Sequence, residues 1–344
     1  MDFTFTEEQE TISKLGRELF ERRATPERLT VRFRRWLPGT RGVAGRSRVE
    51  RGRGGGVYRV RAARLLQTRA QDAGSVDDAG QKAPLLLRGS VPGDRVGAQQ
   101  QRRVSRHRCP RRDGPNWRLD GTKELVPAAQ LADTVLIPAS IDDGTDGAVG
   151  LFLLATDADG VGIRPVATTT RIPHADVFLD GATVSAADLL QGPGTLVRAL
   201  YTRALVGLCA IQLGISDRAL RMAAEYTTGR EQFGRPIGSF QAVQQRMADG
   251  FIDVEAIRWT TWHAAWLIAE GRPADRAARI AKFWAAEAGA RVAATTQHVH
   301  GGIGIDITYP LHRYFLWAKQ NELTLGSASQ QLAHLGSTYP EGRL

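Results

Sequence analysis

From Thr195 onward the apolar residues keep a single spacing for longer than a strand or a loop could use. The stretches RALYTRALVGLCAIQLGISDRALRMAAEYT, FQAVQQRMADGFIDVEAIRWTTWHAAWLIAEG and DRAARIAKFWAAEAGARVAATTQHVH carry apolar stripes at i, i+3, i+4 and i+7, broken by GRPIG, GRP and HGGIG. Apolar residues at that period line one face of a helix, and Gly/Pro breaks between such stripes turn the chain back on itself. The expectation over residues 191–344 is an antiparallel helical bundle.

Upstream the period changes. From 114-GPNWRLDGTKELVPAAQLADTVLIPAS through VGLFLLATD, GVGIRPV and HADVFLDGATV, short alternating runs are punctuated by Asp-Gly turns, the pattern of half-buried strands in hairpins. Residues 114–190 therefore read as a β domain. Residues 1–30 read as the start of a helical domain, with Thr6 and Gln9 spaced as a capping box and Ile12, Leu15 and Leu19 at helical spacing. The fold class is α+β: a helical region, a central β domain and a C-terminal helical bundle.

Residues 31–113 fit neither period. They hold 20 Arg and one Lys against six acids, a local charge of +15, so the other 261 residues sum to −5 although the whole chain carries +10. A basic chain ordinarily suggests nucleic acid or a membrane surface as partner. Here the charge is confined to an Arg/Gly-rich stretch without interleaved aromatics, so no nucleic-acid partner is expected.

A length of 344 residues suffices for two or three domains with cores of their own. Cys109 and Cys209 cannot make a disulfide framework, and no Cys/His cluster has metal-ligand spacing. No uninterrupted apolar run reaches the ~18 to 20 residues of a membrane span. The opening MDFTFTEEQE lacks a basic start and an apolar core, so a cytoplasmic location is expected.

The order of domains, together with three motifs, resembles the acyl-CoA dehydrogenases. REQFGRPIGSFQAVQQRMAD is similar to that family's Arg-x-Gln-Phe-Gly-x-Pro-Ile...Phe-Gln motif, QHVHGGIGIDITYPLHRY to its His-Gly-Gly-Ile-Gly segment, and DGTKELVPAAQLAD, more weakly, to its β-domain Gly-Thr-Lys stretch. The resemblance covers residues 1–30 and 114–340. It implies FAD as cofactor, an acyl-CoA thioester as substrate, a homologous subunit across a homo- or heterotetramer, and electron-transfer flavoprotein or a similar acceptor.

By the same resemblance the arginine and Phe-Gln positions of one subunit reach the adenosine diphosphate part of FAD across a dimer interface. Arg230 would fork onto the pyrophosphate and Gln241 would hydrogen-bond the nucleotide, with Gln232 and Phe233 beside them in the motif. Gly234, Gly301 and Gly302 would allow close backbone approach. The family often has Gln three residues before the Gly-Gly pair; His298 stands there, with Gln297 displaced by one. Val126 and Pro127 occupy places that often hold flavin-contacting Trp and Ser/Thr. The plainer alternative is a solvated Arg230-Glu231 pair and a helix C-cap at HGGIG.

Acyl-CoA dehydrogenases take the proton alpha to the thioester with a glutamate found at one of two places. Alignment puts Leu325 at one and Ala204, beside Arg203, at the other; Glu322 is the nearest carboxylate to Leu325. His300 and His312 read as structural. Subunits lacking the glutamate are familiar in heteromeric actinobacterial steroid-degrading members of the family, whose wording HGGIGIDITYPLHRY resembles. The expectation is the base-less subunit of such an enzyme, against a nonenzymatic scaffold or an inactive product of a damaged gene. The family resemblance also makes residues 31–113 read as out-of-frame translation, since codons read one nucleotide later permit text of the family's kind. The other reading is a genuine Arg-rich insertion that binds an anion or nucleic acid.

Overall fold

The computed structural model describes residues 111–113, 116–141, 149–190 and 195–338, together with Glu7, Glu10, Thr11 and Lys14. The chain separates into two units, Met1–Val57 and Tyr58–Leu344. In the first, the four described residues are helical, and Thr11 Oγ1 donates to the Glu7 carbonyl at 2.8 Å. The capping pair and apolar stripe expected at 1–30, and residues 31–110, lie outside the described residues. The strands and helices over residues 111–338 all belong to the second unit.

Strand alternation makes two sheets. In one, β1 (Arg111–Asp113), β2 (Asn116–Pro127), β5 (Val161–Val166) and β6 (His174–Ser185) run in the order β1-β2-β6-β5, every pair antiparallel. The other runs β3 (Thr134–Ser140), β4 (Val149–Ala155), β7 (Leu189–Leu190). Arg111–Asp113 pair with Asn116–Arg118, so the sheet takes in three residues of the arginine-rich stretch. Inward residues of both sheets share one core, including Leu119, Val126, Ile137, Phe152, Leu154, Val177 and Val184. Trp117 meets Phe152 edge-on at 5.8 Å across it. The turn into β5 needs glycine: Gly160 has φ 79°, and a Cβ there would lie 2.5 Å from the Asp180 carbonyl oxygen.

A bulge interrupts β2 between Lys123 and Val126, where Leu125 takes φ 52°. Asp176 holds it, accepting the Leu125 N–H at 3.0 Å and the Arg164 guanidinium at 2.8 Å. Burial alone would raise the Asp176 carboxyl; the Arg164 and Leu125 donors outweigh it and hold the carboxyl below its ordinary value.

Five helices follow: α1 (Thr195–Gly229), α2 (Gln241–Ala269), α3 (Asp275–His300), α4 (Leu311–Leu323) and α5 (Ala328–Ser337). Helix α3 is the axle, packed against each of the other four. Its buried face is built of small residues, Ala277, Ala278, Ala281, Ala285, Ala286, Ala288, Gly289 and Ala293, which let neighbouring backbones approach closely. At Gly289 a Cβ would sit 2.5 Å from Gln212 Nε2 of α1. Arg291 of α3 forks onto Asp253 of α2 at 2.6 and 2.9 Å, and Arg258 of α2 reaches Asp217 of α1 at 3.1 Å. Cys209, fully buried on α1, packs with Leu205, Ile257 and Ala281, and burial pushes its thiol up to about 12.

One expectation needs correction. Within α1, Leu196–Gly229 is long and apolar enough to cross a membrane by length and composition alone, a test that a bundle's core helix also passes. Counting only uninterrupted apolar runs missed this. The uncharged centre, 204-ALVGLCAIQLGIS, places Leu205, Cys209 and Ile215 in the bundle core.

The β domain and the bundle meet through a buried polar link. Thr170 Oγ1 donates to Gln320 Oε1 of α4. His174 Nδ1 donates to the Ile172 carbonyl at 2.8 Å, which leaves Nε2 to accept from Gln320 Nε2 at 3.3 Å.

Directly opposed residues share a face in an antiparallel sheet, so Lys123, paired with Val177 and through it with Ile163, lies on the core face. Lys123 is 8% exposed, and burial pushes its ammonium down from 10.5 to about 8. The unfolded chain therefore binds the proton more tightly: charged Lys123 destabilises the fold below pH 8, and the penalty is relieved as pH rises from 8 through 10.5. Lys123→Met is expected to raise the thermal midpoint at pH 7, the gain being limited to a few kcal/mol because a tenfold change in proton affinity is worth ~1.4 kcal/mol. That gain should fade by about pH 10.5, which a series of thermal melts against pH would read.

Candidate functional site

Two motifs meet at one end of the bundle. The chain leaves α1 through Arg230, forms a two-stranded hairpin, β8 (Glu231–Gln232) with β9 (Arg235–Pro236), and enters α2 at Gln241. Hydrogen bonds from Arg230 N–H to the Tyr226 carbonyl (2.9 Å) and from Ile237 N–H to the Arg230 carbonyl (2.8 Å) close its base. The tip residues Phe233 and Gly234 have φ 55° and 75°, the left-handed pair of a tight hairpin turn. Asparagine or glycine usually fills the first place, because a bulky side chain is strained there.

Phe233 is 92% exposed, so the packing of this unit does not repay that strain. Its ring meets Phe240 edge-on at 6.1 Å, and the Arg235 guanidinium sits over Phe240 at 4.1 Å. Arg230, Gln232 and Gln241 are exposed, and the Arg230 guanidinium has no ion-pair partner among the described residues.

The second motif ends α3. His300 is buried, stacks on Tyr226 at 4.4 Å and packs against Tyr309 at 5.3 Å. Its Nδ1 donates to the Thr296 carbonyl at 2.7 Å, which fixes the tautomer and turns Nε2 toward the Tyr309 hydroxyl at 3.2 Å. Burial holds the imidazole below its ordinary value, against the Thr296 bond. The Tyr226–His300 stack thus brings the end of α1, with Arg230, beside the end of α3, with Gly301 and Gly302. His298 is exposed on the same last turn. His312 Nδ1 bonds the Tyr309 carbonyl at 2.6 Å, so both His300 and His312 are tied to backbone.

Gly301 has φ 60°, and a Cβ on either Gly301 or Gly302 would meet no atom within 4 Å. Gly302, whose backbone any residue could adopt, is not required to be glycine by this unit's own packing. Gly304 is the opposite case, with a Cβ 2.9 Å from the Gln297 carbonyl oxygen.

The two base positions lie near the other end of α1. Ala204 is one turn past Tyr201, whose hydroxyl donates to the Leu325 carbonyl at 2.9 Å. Leu325, with φ 56°, packs on the cluster around Leu205, Cys209 and Trp284. Glu322 is turned to a salt bridge with Lys319. At ~1.5 Å rise per residue, Ala204 and Gly229 are about 37 Å apart along α1. The structure therefore gathers Arg230, Gln232, Phe233, Gln241, His298, Gly301 and Gly302 toward one end and sets Ala204, Leu325 and Glu322 well away from them. In the β domain, Val126 is buried in the core, between the left-handed residues Leu125 and Ala128 (φ 50°). No group of three or more His, Cys, Asp or Glu is placed to hold a metal ion among the described residues.

Sequence reasoning missed Tyr226, Lys282 and Gln331. Lys282 had a readable signal, a lone charge in phase with the alanines of α3.

The glycine contrast is testable by thermal unfolding. Gly304→Ala is expected to cost roughly 1 to 3 kcal/mol through overpacking, and Gly302→Ala to stay within about 0.5 kcal/mol of the parent.

With the geometry in place, comparison with known proteins gives consistent results. The acyl-CoA dehydrogenase C-terminal domain family matches residues 198–338. Acyl-CoA dehydrogenase FadE27 of Mycobacterium tuberculosis is 46% identical over 236 residues, which are 66% of this chain and 62% of that protein. The solved ChsE4-ChsE5 complex from Mycobacterium tuberculosis superposes with a TM-score of 0.64 at 46% identity, covering 67% of this chain and 63% of its match. The Tcur3481-Tcur3483 steroid ACAD G363A variant gives 0.62 at 42% identity, covering 67% and 61%. The chain thus spans less than two thirds of the length of these relatives. Residues 198–338 thus form an acyl-CoA dehydrogenase C-terminal domain, and with the β domain that precedes them they take an acyl-CoA dehydrogenase-like fold.

Proposed function

We propose that the chain is a subunit of a FAD-dependent acyl-CoA dehydrogenase whose homologous partner chain carries the catalytic glutamate. The observation that carries this reading is the separation along α1. The open, glycine-lined end with Arg230 is about 37 Å from the base positions, further than one dinucleotide extends. One chain cannot hold the nucleotide at its first end and offer a base to the same flavin at its second. A second chain is needed, and this one has Ala204 and Leu325 where a base would stand.

FAD fits the residues present. The Arg230 guanidinium is exposed and suited to a pyrophosphate; Gln232, Gln241 and His298 are exposed donors; Phe233 is held solvent-facing; and Gly301 and Gly302 face open space. When bound, FAD would supply an acceptor for the hydride beta to the thioester, with electron-transfer flavoprotein or a similar protein as the onward acceptor. The partner's carboxylate takes the alpha proton.

The ChsE4-ChsE5 relative is a complex, and the Tcur3481-Tcur3483 relative is a steroid ACAD. These likenesses support a heteromeric assembly and a bulky thioester of the steroid side-chain class. Residues 31–113 are read as translated out of frame, which resequencing codons 28 to 116 would test.

Arg230→Ala should lower the FAD content of the assembled complex without lowering the thermal midpoint of this chain. A charge-assisted contact to a pyrophosphate is worth roughly 1.5 to 3 kcal/mol, about ten- to a hundredfold in affinity, while an exposed arginine adds little to stability. Arg230→Lys should restore part of the loss, keeping the charge but not the fork. The flavin-to-protein absorbance ratio after dialysis reads both; unchanged occupancy in Arg230→Ala would replace this reading with a scaffold role.

A further inference from the structure

Residues 320–325 are gripped from four directions. Thr170 and His174 of the β domain hold the Gln320 side chain. Lys282 of α3, 1% exposed, donates its ammonium to the Asn321 carbonyl at 2.8 Å and the Glu322 carbonyl at 3.2 Å. Tyr201 of α1 and Gln331 of α5 both donate to the Leu325 carbonyl at 2.9 Å. Arg279 ties the last two together, bonding Gln331 Oε1 at 3.3 Å while its guanidinium lies over the Tyr201 ring at 5.3 Å.

A connection between two helices does not require this. The last carbonyls of a helix are commonly satisfied by water or by a glycine turn, and Gly326, with φ 102°, already supplies one. A buried ammonium, by contrast, is tolerated only where acceptors meet it. Position 325 itself is left-handed, where a leucine is strained and a glycine would not be. The turn therefore keeps a side chain at 325 at the cost of strain and pins the carbonyls on either side of it with buried donors. The common product of these contacts is a fixed origin and direction for the Cα–Cβ bond of residue 325.

We infer that Tyr201, Lys282 and Gln331 are positioning residues for the side chain at position 325, in a turn shaped to present a carboxylate and retained with leucine in its place. The inference rests on the functional reading above, within which 325 is a base position. Its chemistry needs no oxidant. A carboxylate there would take the alpha proton of a thioester, leave the enolate, and return a deuteron from heavy water with no net transfer of electrons.

The test is Leu325→Glu in this chain within the assembled complex loaded with FAD, the partner chain's own base glutamate replaced by glutamine, with octanoyl-CoA in deuterium oxide as probe and alpha-deuterium incorporation read by mass spectrometry. Exchange should rise at least about tenfold over the parent, the low end for a positioned base being on the order of a hundredfold. Adding Tyr201→Phe or Lys282→Met to Leu325→Glu should lower exchange about tenfold and shift its pH midpoint. Tyr201→Phe should do so with the thermal midpoint and octanoyl-CoA affinity unchanged, so loss of folding in Lys282→Met leaves the test intact. Thioester binding without faster exchange in Leu325→Glu, or exchange insensitive to Tyr201→Phe, overturns the positioning role. Failure of parent and variant alike to bind octanoyl-CoA overturns the functional reading instead.

Discussion

The close packing of small residues along α3 is the constraint on which the helical half depends. Alanines and Gly289 on that face let α1, α2, α4 and α5 share one central helix. Because the neighbours sit so near, single side chains can span elements: Arg291 to Asp253, Lys282 to the end of α4, and Tyr226 to His300. A bulkier face would move these partners apart by the width of a methyl group or more, and interiors packed to crystal density have little slack to absorb that. Both candidate regions inherit their geometry from α3, one at each end.

Much of this was legible because it repeats. The 3.6-residue stripes after Thr195 and the alternation across 114–190 mark helices and strands whatever their partners, and Gly/Pro breaks mark where they stop. The family motifs named Arg230, Gln241, Gly301 and Gly302. What the sequence hid was convergence across long separations. Nothing local says that Tyr226 and His300 stack, or that Gln331 and Tyr201 meet on one carbonyl, because each pair is joined only by the packing of whole helices. The left-handed backbone at Phe233 and Leu325 was also silent, since neither residue type favours it. The membrane-length character of α1 was hidden for another reason: charges near its ends interrupt the run without lowering the central hydropathy enough.

The polar interior follows one rule at several places. Asp176 at the β2 bulge, Gln320 between β domain and bundle, and Lys282 under α4 each answer backbone or amide groups that the fold leaves short of partners. Such groups fix where elements end and meet, which apolar packing alone specifies loosely. Lys123 differs: burial lowers its ammonium with no comparable partner among the described residues, which marks the β domain's core face as a place where charge is tolerated rather than used.

Cys209 carries a last consequence. Its thiol is sealed between α1, α2 and α3, and at about 12 it holds almost no thiolate at neutral pH. An alkylating reagent can meet it only when those helices part, and once they part the thiol returns to ordinary reactivity. The bundle therefore contains its own clock: the rate at which Cys209 takes up a thiol label is the rate, or at low reagent the frequency, with which the helices around α3 open.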